Sequence, residues 1–389
     1  MFARRTSWSL ATNAYTRALE EHRRAGRELL DLTASNPTTV GLRYDQERLL
    51  QALARPEALT YEPDAKGLPE AREAISQYYA SRGVELPADD LILTTSTSEA
   101  YSFVFRLLCD PGNSVLVPTP SYPLFDFLAG LQDVTLVPYE LVYDHGWQMD
   151  FHSLEQATNK SQGPKAVLVV HPNNPTGSFV KPEEALQLAQ FCADRNLAII
   201  ADEVFLDYSL RDTQAASFVE TGVLTFTLSG LSKIAGLPQM KVAWIALSGP
   251  DALKNEALGR LEVIADTYLS MNAPTQWAVP AMLEQRHSIQ QQLMARIRAN
   301  LSELDRQLAA QKLCSRLDVE GGWYVVLRAP VTGSDEELAI ALLQGTGALV
   351  QPGHFYDFAA DGYLVVSLIT PEEIFVNGIK RLLRFLALA

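Results

Sequence analysis

The chain has 389 residues, 47% hydrophobic and 20% charged, which is an ordinary globular composition and too long for one minimal domain. Its formal net charge of -14 argues against nucleic acid or anionic membrane surfaces as partners, since both require a basic face; only a local basic pocket is left open. Three cysteines, Cys109, Cys192 and Cys314, are too few for a disulfide framework and sit in apolar helix-like settings that suit core packing. The first residues carry charge without a following apolar run, and no stretch approaches the roughly 18 apolar residues of a membrane span. The expected compartment is the cytoplasm.

In chain order, residues 9–28 read as a polar-faced helix, followed by an irregular, proline-containing segment. Residues 65–81 form an amphipathic helix with Pro69 near its start. From about 91 to 249, seven short apolar runs are strand candidates: L-I-L-T-T, S-V-L-V-P, V-T-L-V-P, A-V-L-V-V, L-A-I-I-A, L-T-F-T-L and V-A-W-I-A-L. Helix-like segments at 98–108, 121–130 and 181–195 lie among them. Continuous apolar strands between helices predict an α/β fold with a mostly parallel seven-stranded sheet covered on both faces. After about 250 the character changes. One long helix over 275–310, with Pro280 inside it, precedes a smaller α+β lobe with strands G-G-W-Y-V-V-L, A-L-V-Q-P and Y-L-V-V-S-L and helices at 334–345 and 371–388. The scattered histidines, His145 and His152 the nearest pair among them, fit no usual metal spacing, so no metal is expected. No dinucleotide, P-loop or nucleophile-elbow motif occurs.

Polar clusters follow the carboxyl ends of the predicted strands, where open α/β sheets place ligands. S-T-S-E-A (96–100) opens a helix and offers hydroxyls and free N–H groups to an anion, although it also reads as a plain N-cap. T-P-S-Y-P holds Tyr122 between prolines, able to stack on a planar ring. H-P-N-N-P-T-G fixes Asn174 on a tight turn. Asp202 ends an apolar run, so it is buried and requires a cationic or N–H partner; Glu203 faces the other way in a structural role. Lys233, in S-G-L-S-K-I-A-G-L-P-Q-M-K, is a strand-end lysine whose amine burial would keep neutral, as Schiff-base chemistry requires. Lys241 would stay charged opposite a phosphate. A planar ring, a phosphate, a nitrogen facing Asp202 and an aldehyde for Lys233 together describe pyridoxal phosphate.

These motifs, in this order from Y-E-P-D-A-K-G-L-P-E (61–70) to Y-L-V-V-S-L (363–368), resemble the fold-type I, aspartate-aminotransferase-like class I/II aminotransferases. The resemblance implies a large cofactor domain over residues 40–280 and a small domain from 1–39 and 281–389. It implies that Lys233 bonds the cofactor and moves the substrate proton, and that Asp202 pairs with the ring nitrogen. Asn174 would donate to the ring oxygen and Tyr122 would stack on the ring. Ser96, Thr97 and Ser98, with Ser232, would form the phosphate cup. Tyr61 would reach the phosphate of a neighbouring subunit, which requires a homodimer. The implied reaction is ping-pong transfer of nitrogen from an amino acid or related amine to a 2-oxo acid. Elimination or another reaction at the same cofactor, and a binding module without turnover, share the same cofactor contacts.

Three positions depart from the family pattern. Lys241 replaces an arginine, keeping the charge and losing the bidentate fork. Phe205 replaces a tyrosine beside the cofactor, removing a hydroxyl and predicting a raised pKa for the cofactor's bond to lysine. Val365 replaces the arginine that takes the substrate carboxylate; Arg43, Lys66, Arg328 and His354 are the candidate substitutes. Trp323 and Tyr324 fall in a segment that in the family approaches the substrate and equally suit core packing.

Overall fold

The structure, a computed structural model, describes residues 1–212, 215–330 and 333–388. Its strands in chain order are β1 (Leu30–Asp31), β2 (Leu91–Thr94), β3 (Ser114–Thr119), β4 (Thr135–Tyr143), β5 (Trp147–Met149), β6 (Pro164–Val170) and β7 (Ala198–Asp202). They continue with β8 (Thr225–Gly230), β9 (Ala243–Ser248), β10 (Ser315–Arg316), β11 (Tyr324–Arg328), β12 (Ala348–Leu349), β13 (Gln351–Pro352) and β14 (Tyr363–Ser367).

The large sheet has the order β2-β9-β8-β7-β6-β3-β4-β5. It is parallel from β8 through β7, β6 and β3 to β4, and antiparallel where β9 meets β2 and β8. It therefore holds eight described strands rather than the expected seven. The extra one arises because β4 runs on past its apolar core residues and reverses at Asp144–Gly146, with His145 in the left-handed region at φ 53°. β5 then returns antiparallel along β4. Three residues with one turn glycine leave too short a pattern to read as a strand.

Both faces of the sheet's central strands are buried, and these strands show it residue by residue. Val115, Ala166, Leu168, Ala198 and Ile200 pack with Val104, Leu258 and Leu261 from the helices Thr97–Leu108 and Asp251–Tyr268. The alternate positions Leu116, Val167, Val169, Ile199 and Ala201 pack with Leu154, Leu188 and Cys192 from the helices Phe151–Lys160 and Pro182–Arg195. A period of two feeding two apolar layers is why these strands read as unbroken hydrophobic runs.

The second lobe is built on the four-stranded sheet β10-β11-β14-β13, antiparallel throughout. The expected single strand A-L-V-Q-P is split: β12 pairs with β1 in a two-stranded sheet, and β13 pairs with β14. Val350 lies at the change of sheet, its carbonyl taking the Tyr15 hydroxyl at 2.8 Å. The helix Ala273–Leu308 runs for 36 residues with Pro280 inside it. Among the described residues, no helix is long and apolar enough to cross a membrane.

Candidate active site

Because β6, β7 and β8 are parallel neighbours, their carboxyl ends lie side by side and bring Val170, Asp202 and the Lys233 turn together. Their polar ends, with the start of the helix Thr97–Leu108, line a cavity of about 260 Å³ that includes Thr97, Ser98, Tyr122, Asn174, Asp202, Phe205, Ser232 and Lys233.

Asp202 is the last residue of β7 and is buried. Its two oxygens are held separately: the Val204 N–H donates to Oδ1 at 3.1 Å, and the Tyr101 hydroxyl donates to Oδ2 at 2.8 Å. Burial raises its pKa to about 6; the two hydrogen bonds and the Lys233 charge pull the other way. Glu203, one residue on, points to the opposite side of the sheet, where it accepts from the Ser217 hydroxyl and the Phe218 N–H.

Lys233 lies in a single helical turn, Leu231–Ile234, directly after β8. Gly230 opens that turn against β9: a Cβ there would lie 2.9 Å from both the Val242 carbonyl oxygen and the Ala243 Cβ. The Tyr208 hydroxyl donates to the Lys233 carbonyl at 2.6 Å and fixes the turn from the side. The amine sits 4.6 Å from the centre of the Trp323 ring and 5.3 Å from that of Phe205. These apolar surroundings lower its pKa to about 8, against the pull of Asp202. A lysine with a substantial neutral fraction near neutral pH is a competent nucleophile toward a carbonyl carbon.

At the other end of the cavity, Ser96 caps the helix Thr97–Leu108 by accepting from the Glu99 N–H at 3.2 Å. Its hydroxyl serves the helix, and Ser96 does not line the cavity; Thr97 and Ser98 do, beside Ser232. A helix N-terminus with two adjacent hydroxyl residues is an anion site. Asn174 is buried, and its Oδ1 has no hydrogen-bond partner among the described residues. An acceptor without a partner marks an amide whose orientation no protein group fixes, so its NH2 can be turned to a ligand oxygen.

Other expected residues lie elsewhere in the chain. Lys241 is exposed at φ 55° and does not line the cavity. Tyr61 is 79% exposed and lines a separate groove with Leu269, Met271 and Trp277. None of the four candidate carboxylate partners reaches the cavity. Arg43 and His354 are exposed, Arg328 donates to the Tyr363 hydroxyl at 3.2 Å, and Lys66 donates to the Asp89 carbonyl at 3.2 Å. Val365 is fully buried in the second lobe. Tyr324 lines the cavity, and Trp323 packs against the lysine from behind. Sequence reasoning missed Tyr101, Ser35, Gln351 and Tyr356. Only the cavity reveals them, because on its own helix Tyr101 occupies an ordinary core position.

A phosphorylated pyridine aldehyde fits this set: an anion site at one end, a carboxylate and an amine on the floor, an unpartnered amide on the wall. The whole chain superposes on the alanine aminotransferase of Pyrococcus furiosus with a TM-score of 0.90 at 23% identity, covering 100% of both chains. It also superposes on an aminotransferase of Escherichia coli with a TM-score of 0.88 at 22% identity, covering 100% of this chain and 98% of that one. The architecture is that of the fold-type I aminotransferases. The chain belongs to the aminotransferase class I and II family, whose model matches residues 10–376. It is a pyridoxal-phosphate-dependent transaminase with small amino and keto substrates. It is 28% identical over 378 residues to the glutamate-pyruvate aminotransferase AlaA of Haemophilus influenzae, covering 93% of this chain and 91% of that one. It is also 28% identical over 377 residues to the alanine aminotransferase of Mycobacterium bovis, covering 93% of this chain and 86% of that one.

Proposed function

We propose that Lys233 bonds the cofactor and carries the proton in this transaminase. The observation that supports this reading is the shared cavity itself: an amine with its pKa lowered to about 8 stands beside a buried carboxylate, an unpartnered amide and a helix N-terminus. When bound, pyridoxal phosphate supplies an aldehyde to take the nitrogen and a ring to spread the electron pair left by the departing proton. Asp202 would pair with the ring nitrogen and favour its protonated form. Thr97, Ser98 and Ser232 would hold the phosphate, Tyr122 would cover the ring face, and Asn174 would donate to the ring oxygen through its NH2. Lys233 would be the base that takes the proton from the substrate carbon and holds it on its amine.

The working unit we propose is a cytoplasmic homodimer, divided within each subunit into a domain over 40–280 and one from 1–39 and 281–389. The exposed Tyr61, Leu59 and Tyr268 support a subunit contact, through which Tyr61 would reach the phosphate of the neighbouring subunit, while Lys241 would balance the phosphate of its own chain. The three unpaired cysteines suit a reducing compartment. The names of the relatives make alanine and glutamate the first amino donors to try, with pyruvate as the acceptor.

Borohydride reduction of the loaded enzyme, followed by peptide mass mapping, tests the central assignment. The expected result is one phosphopyridoxyl group on Lys233 and none in Lys233→Ala. Labelling at another lysine, or unchanged labelling of the variant, would overturn it.

A further inference from the structure

Among the described residues, Lys233 is the one cationic side chain lining the cavity. Its amine is committed to the cofactor in the reading above, on which this inference rests. A substrate carboxylate entering the cavity is therefore met by uncharged groups, and the structure shows which. Gln351 on β13 is registered directly opposite Val365 on β14, and paired residues of neighbouring strands put their side chains on the same face of the sheet. Val365 is sealed in the core, while the longer Gln351 reaches past it to the cavity wall.

The Gln351 side chain is oriented. The Tyr356 hydroxyl donates to its Oε1, and Tyr356 is buried and held in turn by its carbonyl, which accepts the Ser121 N–H at 2.9 Å. With the carbonyl end occupied, the NH2 end is left to face the cavity. Ser35 lines the same cavity on a segment tied to β14: the Ser367 hydroxyl donates to the Ala34 carbonyl at 2.5 Å, and the Ser367 N–H donates to the Leu32 carbonyl at 2.7 Å. An amide and a hydroxyl on two anchored elements thus line the one cavity.

We propose that Gln351, oriented by Tyr356 and assisted by Ser35, binds the carboxylate of the amino and oxo substrates, and that this uncharged clamp makes the enzyme tolerant of neutral isosteres. A guanidinium fork gives two charge-assisted hydrogen bonds and rejects a carboxamide strongly. Neutral donors to a carboxylate carry a weaker bias, about tenfold or less.

Equilibrium binding provides a test independent of turnover. Isocaproate and isocaproamide, which lack the reacting nitrogen, are titrated calorimetrically into the loaded enzyme. The expected Kd values lie within about tenfold of each other. Gln351→Glu keeps the side-chain shape and an acceptor for Tyr356 but replaces the donor with a negative charge. It is expected to weaken isocaproate by about tenfold or more while weakening isocaproamide less. A carboxylate preference above about a hundredfold in the parent enzyme would show a cation at work and overturn the proposal. So would an unchanged carboxylate-to-carboxamide ratio in Gln351→Glu, or no binding of either probe. The visible cofactor band checks that the variant is loaded. If no amino donor converts that band to the amine form, the reading of the whole cavity fails. If donors convert it but the Gln351→Glu ratio is unchanged, only the role of Gln351 fails.

Discussion

The Tyr101 hydroxyl donates to Asp202 at 2.8 Å, joining the first helix of the large sheet to the end of β7 across 101 residues of sequence. This bond and the Val204 N–H leave the carboxylate no free rotation, so the face it presents to the cavity is set before any ligand arrives. Tyr101 itself is buried, which pushes its own ionisation well above the ordinary range and keeps it a donor.

Tyr101→Phe removes one bond that favours the charged carboxylate, so the pKa of Asp202, already raised to about 6, rises further. The acid limb of the kcat/KM profile is expected to move to higher pH, with a loss at neutral pH of about tenfold. Because the folded pKa exceeds the ordinary 3.8, the folded state holds the extra proton between 3.8 and about 6. This group's contribution to stability is therefore lost as pH rises through that window. A pH–rate profile of the variant matching the parent would show that Tyr101 does not position the carboxylate.

Lys233 gives the opposite sign. Its pKa is lowered from 10.5 to about 8, so between these values the unfolded chain holds more protons than the folded one. Apo-enzyme stability from this group is expected to rise with pH across that interval, and urea midpoints of the parent should converge on those of Lys233→Met as pH increases. Cofactor uptake, followed by absorbance, should accelerate with pH and level off above about pH 8.

Phe205 is buried edge-on to Trp323 and Tyr324, with its ring 5.3 Å from the lysine amine. Phe205→Tyr would add a hydroxyl to the cavity lining, where the proposed arrangement has the cofactor's ring oxygen within its reach. The pH midpoint of the visible band is expected to fall, read by titrating the loaded variant beside the parent. An unchanged midpoint would place the new hydroxyl out of reach.

Gly177 stands at φ 69° in the loop that carries Asn174. A Cβ there would meet Val319 Cγ2 at 2.5 Å and the Gly321 carbonyl oxygen at 2.6 Å. The Gly177 carbonyl itself accepts the Gly321 N–H at 2.9 Å and the Glu320 N–H at 3.1 Å. Gly177→Ala therefore combines backbone strain with a clash against main chain, and a loss of about 1–3 kcal/mol is expected in urea unfolding. Weaker cofactor retention should accompany it, because Asn174 rides on the same turn.

The floor of the site was legible because chemistry there contradicts its surroundings. Asp202 and Lys233 are charges at the ends of apolar runs, and such charges need a partner. The central strands were legible for a related reason, since burial on both faces leaves no polar interruption, while the mostly half-exposed β4 was legible only in its apolar start. Tyr101 was hidden because an aromatic on the inner face of a helix looks like packing until the strand end opposite it is known. Gln351 was hidden because A-L-V-Q-P reads as one strand. The change of partner at Val350 depends on β1 and Tyr15, both more than three hundred residues away in sequence, which draw the first half of the run away from β14. Tyr61, flagged by resemblance, and Lys241, read as a charge opposite a phosphate, lie outside the cavity of a single chain.

Trp323 has a consequence of another kind. Its ring lies against the lysine amine on one side and against Tyr208 on the other, and the Tyr208 carbonyl takes the adjacent Gly322 N–H. The indole is therefore an optical gauge set into the joint between the two lobes. The chain has four other tryptophans, so the difference in emission between the parent and Trp323→Phe should report cofactor loading and any slippage of β11 against the lysine turn, with no label added to the protein.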